Sequence, residues 1–263
     1  MSVTIMPPGY VMAAETAPHI TNPSYGAIPQ VKYYTNDPAF NPGGYNTFST
    51  DYPVFRLAEI LLINAEAKAE LGTLTETDLV ETVNKIRNRV QMPHLSMSVP
   101  LDPVLEKQYP AVTGNLKNVI LEIRRERRVE LACEGLRYDD LLRWGAGNLL
   151  EEPAEGIYVP ALGGIDVTGD GVPDVAILKS ETETGPIDHL PQEVKDKLAK
   201  YYLYDKNGEK GSIYLSEGDK GTIRFKNDVE QSRKFVAPKY YYFPIPFDQV
   251  RDNPNLKQPM GWE

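Results

Sequence analysis

The chain has 263 residues, with 28 basic against 37 acidic side chains and a net charge of −9. That balance argues against nucleic acid or an anionic membrane surface as a partner. A chain of this length buries a sizeable core, a single cysteine excludes an internal disulfide, and no run approaches the ~18 apolar residues that would span a bilayer.

Residues 1–50 are rich in Pro, Gly, Asn, Thr and Tyr without a sustained period, which predicts irregular loop with short extended pieces. Residues 1–31 hold no Lys or Arg, and Pro7-Pro8-Gly9 breaks the apolar stretch, so no signal peptide is expected within them. No cysteine near the start is placed to carry a lipid. A helix is expected from after Pro53 to about Leu71, with Gly72 as its cap and Phe55, Ala58, Leu62, Ala65 and Ala69 as its apolar stripe. Thr75-x-x-Asp78 reads as a capping box opening a second helix, whose buried face is Leu79, Val83, Ile86 and Val90 and whose stop is Pro93.

Two amphipathic helices so closely joined predict an antiparallel hairpin of the tetratricopeptide kind. Residues 94–115 read as a loop. A third helix over about 117–134, a turn at Gly135 and a fourth helix from about Tyr138 to Leu150 predict a second hairpin stacked on the first. Beyond residue 151 only short strand-like runs stand out: Ser212–Leu215, Thr222–Phe225 and Tyr240–Phe243. The predicted fold is mainly α, tetratricopeptide-like hairpins plus a loop-rich lobe with short β-strands. It is read as a single domain over 1–263, with a lead-in at 1–53, stacked hairpins at 54–150 and the lobe at 151–263.

Residues 120–144 carry arginines at 124, 125, 127, 128, 137 and 143, interleaved with Glu122, Glu126, Glu130, Glu134, Asp139 and Asp140. Arg127 occupies a place in the apolar stripe of Ile120, Ile123 and Leu131. An arginine turned toward a packing face requires a carboxylate, and Glu130 and Glu134 are the expected partners at helical spacing. Glu59, Glu66, Glu130 and Glu134 also invite a general acid/base reading. Arginines at neighbouring helical places, Arg56 beside Glu59 and Arg127 beside Glu130, make structural ion pairing the better account. No catalytic residue is assigned. His19, His94 and His189 lack companions at zinc-ligand spacing, and Cys133 reads as a small buried hydrophobe.

The segment Asp166-Val-Thr168-Gly-Asp170-Gly171-Val172-Pro-Asp174 puts oxygen ligands at places 1, 3, 5 and 9 of a calcium loop, with Val172 offering a carbonyl. Ile177 replaces the bidentate Glu of a complete EF-hand. The competing reading is a Gly-Asp turn whose acids bond local backbone. A Ca²⁺ held here would brace a loop, and no other cofactor is called for. Sugars stack their C–H faces on aromatic rings while their hydroxyls seek amides and charged groups. Tyr10, Tyr25, Tyr33, Tyr34 and Tyr45, with Asn22, Asn36, Asn41 and Asn46, fit a glycan platform in the opening loops. Packing of an irregular lobe accounts for the same tyrosines.

Three ordered motifs carry a resemblance. The first is Arg56-Leu57-Ala58-Glu59 with Asn64-Ala65-Glu66-Ala67, then Asn84, Arg87, Arg89 and Pro93. The second is Arg124, Glu126, Arg127, Arg128, Glu130, Leu131, Glu134, Gly135, Arg137, Asp140, Leu141, Arg143 and Trp144. The third is Phe243-Pro244-Ile245-Pro246 with Asn253-Pro254-Asn255-Leu256 and Gly261-Trp262. Together they resemble the SusD/RagB family of bacterial outer-membrane nutrient-binding proteins. The tail departs from the family's usual Gln-Asn-Pro-Gly-Trp, and Cys133 stands where an aromatic is common. Family members are about twice this length, so the resemblance implies a C-terminal portion whose N-terminal half and lipid anchor lie outside this chain.

The resemblance implies non-catalytic binding of an oligosaccharide or peptide nutrient at the outer-membrane surface, and delivery to a SusC-type TonB-dependent transporter. It also implies that Arg56, Glu59, Glu66, Arg124, Glu126, Arg127, Glu130, Glu134, Arg137, Asp140 and Arg143 are scaffold. It transfers no ligand residue to a position here. The rival from another class is a helical-repeat module that grips a protein partner and binds no glycan; a glycoside hydrolase is the third.

Overall fold

The protein is described as a computed structural model over residues 4–13, 15–42, 49–51 and 53–263. The chain forms two compact units, one of Pro53–Leu150 with Lys234–Glu263, the other of Ser2–Tyr52 with Glu151–Arg233.

The first unit is helical. Helix α1 (Leu57–Glu70) ends where Gly72 adopts φ +71°, and the Thr73 and Leu74 N–H groups return to the Lys68 carbonyl. Thr75 and Asp78 form the capping box of α2 (Glu76–Glu81). The expected second helix is two helices, because Thr82 leaves helical geometry and its hydroxyl donates to the Asp78 carbonyl at 2.5 Å; α3 (Val83–Arg89) follows. Residues 94–115 are not all loop: they contain α4 (Pro103–Gln108), capped by Asp102, which accepts from the Val104 and Leu105 N–H groups. Helix α5 (Lys117–Glu130) buries Val119, Ile120, Leu121 and Ile123 against Leu62, Ala65 and Ala69 of α1. Each such side chain taken from water is worth roughly 1.5–3 kcal/mol before entropy is counted, alanines less.

Several boundaries differ from the sequence expectation. Helix α5 stops at Glu130, four residues early, and Cys133 takes φ +66° in the following turn, where it is exposed and not the buried hydrophobe expected. Helix α6 (Arg137–Arg143) stops before Gly145, at φ +65°, and a 3-10 turn (Gly147–Glu151) replaces its expected last turns. A Cβ on Gly147 would lie 2.2 Å from the tip of the Phe235 ring, so any other residue there requires that ring to move. Phe55 precedes α1 and is 74% exposed, outside the buried stripe assigned to it.

The second unit holds two small sheets. Strand β1 (Tyr158–Val159) starts the first, and β2 (Gly163–Ile165) and β3 (Val175–Leu178) pair antiparallel in the second. After a 3-10 turn and α7 (Gln192–Lys197), β4 (Ala199–Tyr202) joins β3 in parallel, with Val175 opposite Ala199. Strands β5 (Ile213–Leu215) and β6 (Gly221–Phe225) form an antiparallel pair, with Leu215 opposite Ile223, and β1 lies on the other side of β6.

All four residues of β3 are buried. Its pleat sends Ile177 into one core, with Val159, Leu203, Ile213, Leu215 and Ile223, and Ala176 and Leu178 into another with Ile187 and Leu198. Helix α8 (Lys226–Glu230) follows β6 directly.

In the segment that returns to the helical unit, Tyr240–Phe243 is not the strand expected. Lys239–Tyr241 forms a 3-10 turn, and the Trp262 indole N–H donates to the Lys239 and Tyr242 carbonyls at 3.0 Å each. Prolines 238 and 244 flank the run and deny it a ladder. Helix α9 (Phe247–Asp252) closes the segment. Among the described residues no helix is long and apolar enough to cross a membrane.

Candidate functional site

The charged residues of the helical unit are brought together, but with partners other than the sequential ones. Arg127 is 4% exposed and forks onto Asp140, at 3.0 Å from Nε and 2.9 Å from Nη2, with Glu66 at 3.5 Å. Arg143 grips Glu66 at 2.5 and 2.6 Å and Asp140 at 2.8 Å, and the Trp144 indole N–H donates to Glu66 at 2.6 Å. The expected Arg127 pairing with Glu130 and Glu134 does not occur. Arg56 takes both, Glu134 at 2.7–3.0 Å and Glu130 at 2.6 Å, and Arg89 holds the other Glu130 oxygen at 2.7 Å.

Arg56 therefore does not pair with Glu59. Arg56 and Arg143 are both held more firmly protonated than a free guanidinium. For Arg56 the largest cause is its hydrogen bonding to Glu134; for Arg143 burial opposes the shift, and the bonds to Glu66 and Asp140 outweigh it.

Glu126 pairs with Arg87 at 2.8 Å, a partner that the sequence left unassigned; burial pushes its carboxyl up, against the pull of Arg87. Arg124 reaches Glu70 at 3.3 Å and lies 4.6 Å from the Trp144 ring centre, while Arg137 donates to the Tyr109 hydroxyl at 2.8 Å. These guanidiniums and carboxylates fasten α1, α3, α5 and α6 to one another. A carboxylate already gripped by a guanidinium at under 3 Å is poorly placed to accept a substrate proton.

In the second unit the opening tyrosines separate into two kinds. Tyr10 is partly buried, and burial first, then Tyr34, raises its hydroxyl pKa against the hydrogen bond from Asn36. The Tyr34 hydroxyl accepts from the Ala13 N–H at 3.2 Å, and Tyr33, at φ +64°, lies beneath the Lys32 ammonium. These three serve packing at least in part. Tyr25 is the other kind, 83% exposed. Its 3-10 turn (Pro23–Tyr25) is fixed by Asn22, which accepts from the Ser24 N–H at 2.8 Å, and by Gly26 at φ +82°.

Gly26 packs so closely on Gly156 that a Cβ on Gly156 would sit 2.6 Å from the Gly26 Cα. Beside this turn opens a cleft of about 420 Å³, lined by Ser24, Lys210, Ser212, Phe225, Lys226 and Asn227. Hydroxyl, amide and ammonium groups thus line a cleft that also takes in Ser24, the residue before the exposed Tyr25. Local reading of the sequence missed the cleft residues, because β5 and β6 lie nearly two hundred positions from Ser24. The amides expected to meet a ligand are largely occupied: Asn36 donates to the Val11 carbonyl and buried Asn41 to that of Thr35. Tyr45 and Asn46 lie outside the described residues.

The loop from Asp166 to Asp174 is closed by its own carboxylates. Asp166 accepts from the Gly169, Asp170 and Gly171 N–H groups, Asp170 from Val172, and Asp174 from Val167 and Thr168. These backbone bonds, that from Gly171 foremost, hold the Asp166 carboxyl below the usual carboxylate range. Thr168 is buried and its hydroxyl donates to Asp166 at 3.4 Å. Among the described residues no three His, Cys, Asp or Glu side chains converge as a metal would require.

Comparison with known proteins places this geometry in a family. Over 100 residues the chain is 36% identical to SusD-like protein P2 of Formosa agariphila, and over 108 residues 34% identical to SusD-like protein P38 of the same organism. Those matches take in 38% and 41% of this chain but only 18% and 20% of the relatives. A crystal structure of a SusD-like carbohydrate binding protein from Bacteroides fragilis superposes on 97% of this chain and 40% of its own, with TM-score 0.53 and 22% identity, a likeness of fold. The SusD family model matches residues 8–262. Helical hairpins locked by arginine–carboxylate pairs, a loop-rich lobe with small sheets and this near-complete match lead to one conclusion: the chain belongs to the SusD family.

Proposed function

We propose that this chain takes part in non-catalytic capture of a nutrient, an oligosaccharide in first place and a peptide otherwise, at the surface of the bacterial outer membrane. The captured ligand passes to a SusC-type TonB-dependent transporter. Family membership supports the reading, as does the carbohydrate-binding description of the Bacteroides fragilis neighbour. The single observation that carries it is the Tyr25 ring, held in solvent on a pinned turn beside a cleft of Ser24, Ser212, Asn227 and Lys210. An aromatic face next to hydroxyl and amide groups matches the alternation of C–H faces and hydroxyls on a sugar. The ion-paired carboxylates of the helical unit support the non-catalytic part.

Affinity electrophoresis through gels containing a panel of polysaccharides tests the reading. At least one glycan is expected to retard the chain, Tyr25→Ala is expected to abolish that retardation, and no new reducing ends are expected after incubation. Retardation unchanged in Tyr25→Ala, or release of reducing ends, would sink it.

A further inference from the structure

The cleft beside the Tyr25 turn has a charge opposite to that of the chain as a whole. Of its lining residues Lys210 and Lys226 are cationic, Ser24, Ser212 and Asn227 are neutral hydrogen-bonding groups, and none that is described is acidic. The Lys210 ammonium has no hydrogen bond or ion pair among the described residues. That of Lys226 donates to the Lys210 carbonyl at 3.4 Å and meets Glu230 only at 3.7 Å, where the carboxylate is more than half exposed. An ion pair so loose and wet holds its partners weakly, which leaves the ammonium available to an incoming anion.

The acids next in sequence lie off the cleft wall. Glu209 adjoins Lys210 but does not line it, and Asp228 accepts from the Ala154 N–H at 2.9 Å and faces Arg233 at 3.6 Å. The net charge of −9 disfavours anions in general, but salt screens it over about 8 Å. The groups on the wall therefore decide what binds there.

Both lysines stand on fixed backbone. Tyr204 and Lys210 form a β-bridge, the Gly211 N–H donates to the Leu203 carbonyl at 2.7 Å, and the Lys226 N–H donates to the Ser212 carbonyl at 3.0 Å. The tip of the Phe225 ring would lie 3.4 Å from a Cβ on Gly26, which ties the cleft to the Tyr25 turn. Groups set in place before binding lose less freedom when a ligand arrives.

We propose that the ligand of this cleft is an acidic oligosaccharide, whose carboxylate or sulfate groups are held by Lys210 and Lys226 while its hydroxyls meet Ser24, Ser212 and Asn227. A hydrogen bond from an ammonium to an oxyanion is roughly twice as strong as one between neutral groups, so the acid group sets the preference. The proposal rests on the capture reading above and narrows it to a ligand class.

Affinity electrophoresis with matched pairs of polymers tests this: polygalacturonate against its methyl ester, and dextran sulfate against dextran. In at least one pair the acidic member is expected to retard the chain more than its neutral counterpart, and added salt to reduce the difference. Preference in the first pair alone assigns the carboxylate, in the second alone the sulfate. Lys210→Gln and Lys226→Gln are each expected to weaken retardation by the acidic polymer by on the order of tenfold, as loss of one charge-assisted hydrogen bond does, with thermal melting unchanged. Lys197→Gln, a highly exposed lysine off the cleft, is expected to have no effect. An equal loss in Lys197→Gln, or undiminished retardation in the folded Lys210→Gln/Lys226→Gln protein, would overturn the proposal. Tyr25-dependent retardation by neutral glycans without preference for acidic ones would overturn it while leaving the capture reading intact. Retardation by no polymer of either kind would overturn both.

Discussion

Glu66 on α1 and Arg143 on α6 meet through two hydrogen bonds of 2.5 and 2.6 Å across 77 positions of sequence. The indole N–H of Trp144 takes the same carboxylate, and Arg127 approaches from α5. Glu66 and Asp140 are 6% and 3% exposed, and buried charge is tolerable only while fully partnered. Arg143 is half in solvent whereas Arg127 is not. Arg127→Ala removes the only buried cation of the group and leaves Arg143 to serve two carboxylates. The expected loss of stability is about 3 kcal/mol or more, against at most about 1 kcal/mol for Arg89→Ala, whose side chain is half in solvent. Urea denaturation of the two variants checks the ranking; equal losses would mean that the Arg127 pairing contributes no more than a surface contact.

Asp78 gives the helical unit a pH response. Its hydrogen bond from Lys68, then that from Thr75, lowers its carboxyl to about 2. A carboxyl depressed on folding adds stability that is present above the unfolded value of ~3.9 and lost as pH falls through the folded value. The stability difference between parent and Asp78→Asn is therefore expected to be constant above about pH 5 and to shrink from pH 4 toward pH 2. Denaturant midpoints over that range test it, and a difference independent of pH would show that the capping box does not depend on the ionised form.

The sequence made the helical frame legible because its signals are local. The spacing of Leu62, Ala65 and Ala69, the Thr75–Asp78 box and Gly72 each act within a turn or two of helix. The network was legible as a set of residues but not as pairs. Spacing along one helix suggested Arg127 with Glu130, whereas Arg56 claims Glu130 and Glu134 from 74 and 78 positions away. The apolar neighbours of Cys133 point to a continuing helix, and nothing local announces its left-handed turn. The four buried residues of β3 lack strand alternation, so the run had no period to betray it. Tyr25 stands out in the sequence, but the cleft groups next to Ser24 come from the residues that flank the β5–β6 pair, Lys210 and Ser212 before it and Lys226 and Asn227 after it, which no short-range pattern connects to residue 24.

Gly156 offers a test of the Tyr25 turn that leaves the ring in place. A methyl group there would lie within 2.7 Å of the Gly26 Cα and carbonyl oxygen, so one of the two backbones must move. Gly156→Ala is expected to displace the turn and to weaken whatever polysaccharide retardation the parent shows, while the helical unit keeps its far-ultraviolet circular dichroism. Unchanged retardation in a folded Gly156→Ala protein would mean that the exact seating of the turn does not matter for binding.

The Asp166–Asp174 loop separates two accounts of its acids. As a calcium loop it should gain stability from the ion; as a self-closed turn it should not, because the Gly169, Asp170, Gly171, Val167 and Thr168 N–H groups already occupy the carboxylates. Any ligand that binds only the folded loop must raise its melting temperature as its concentration rises. The backbone bonds that hold Asp166 ionised close the turn without help, so chelation is expected to leave the melting temperature unchanged. Acidification is expected to loosen the loop as pH falls below ~3.9, the unfolded carboxyl value, toward the lower folded one. Thermal melting in chelator and across a Ca²⁺ titration decides between them: a saturable rise with Ca²⁺, absent in Asp166→Asn, would establish Asp166, Thr168, Asp170, Val172 and Asp174 as an ion site and overturn the self-closed account.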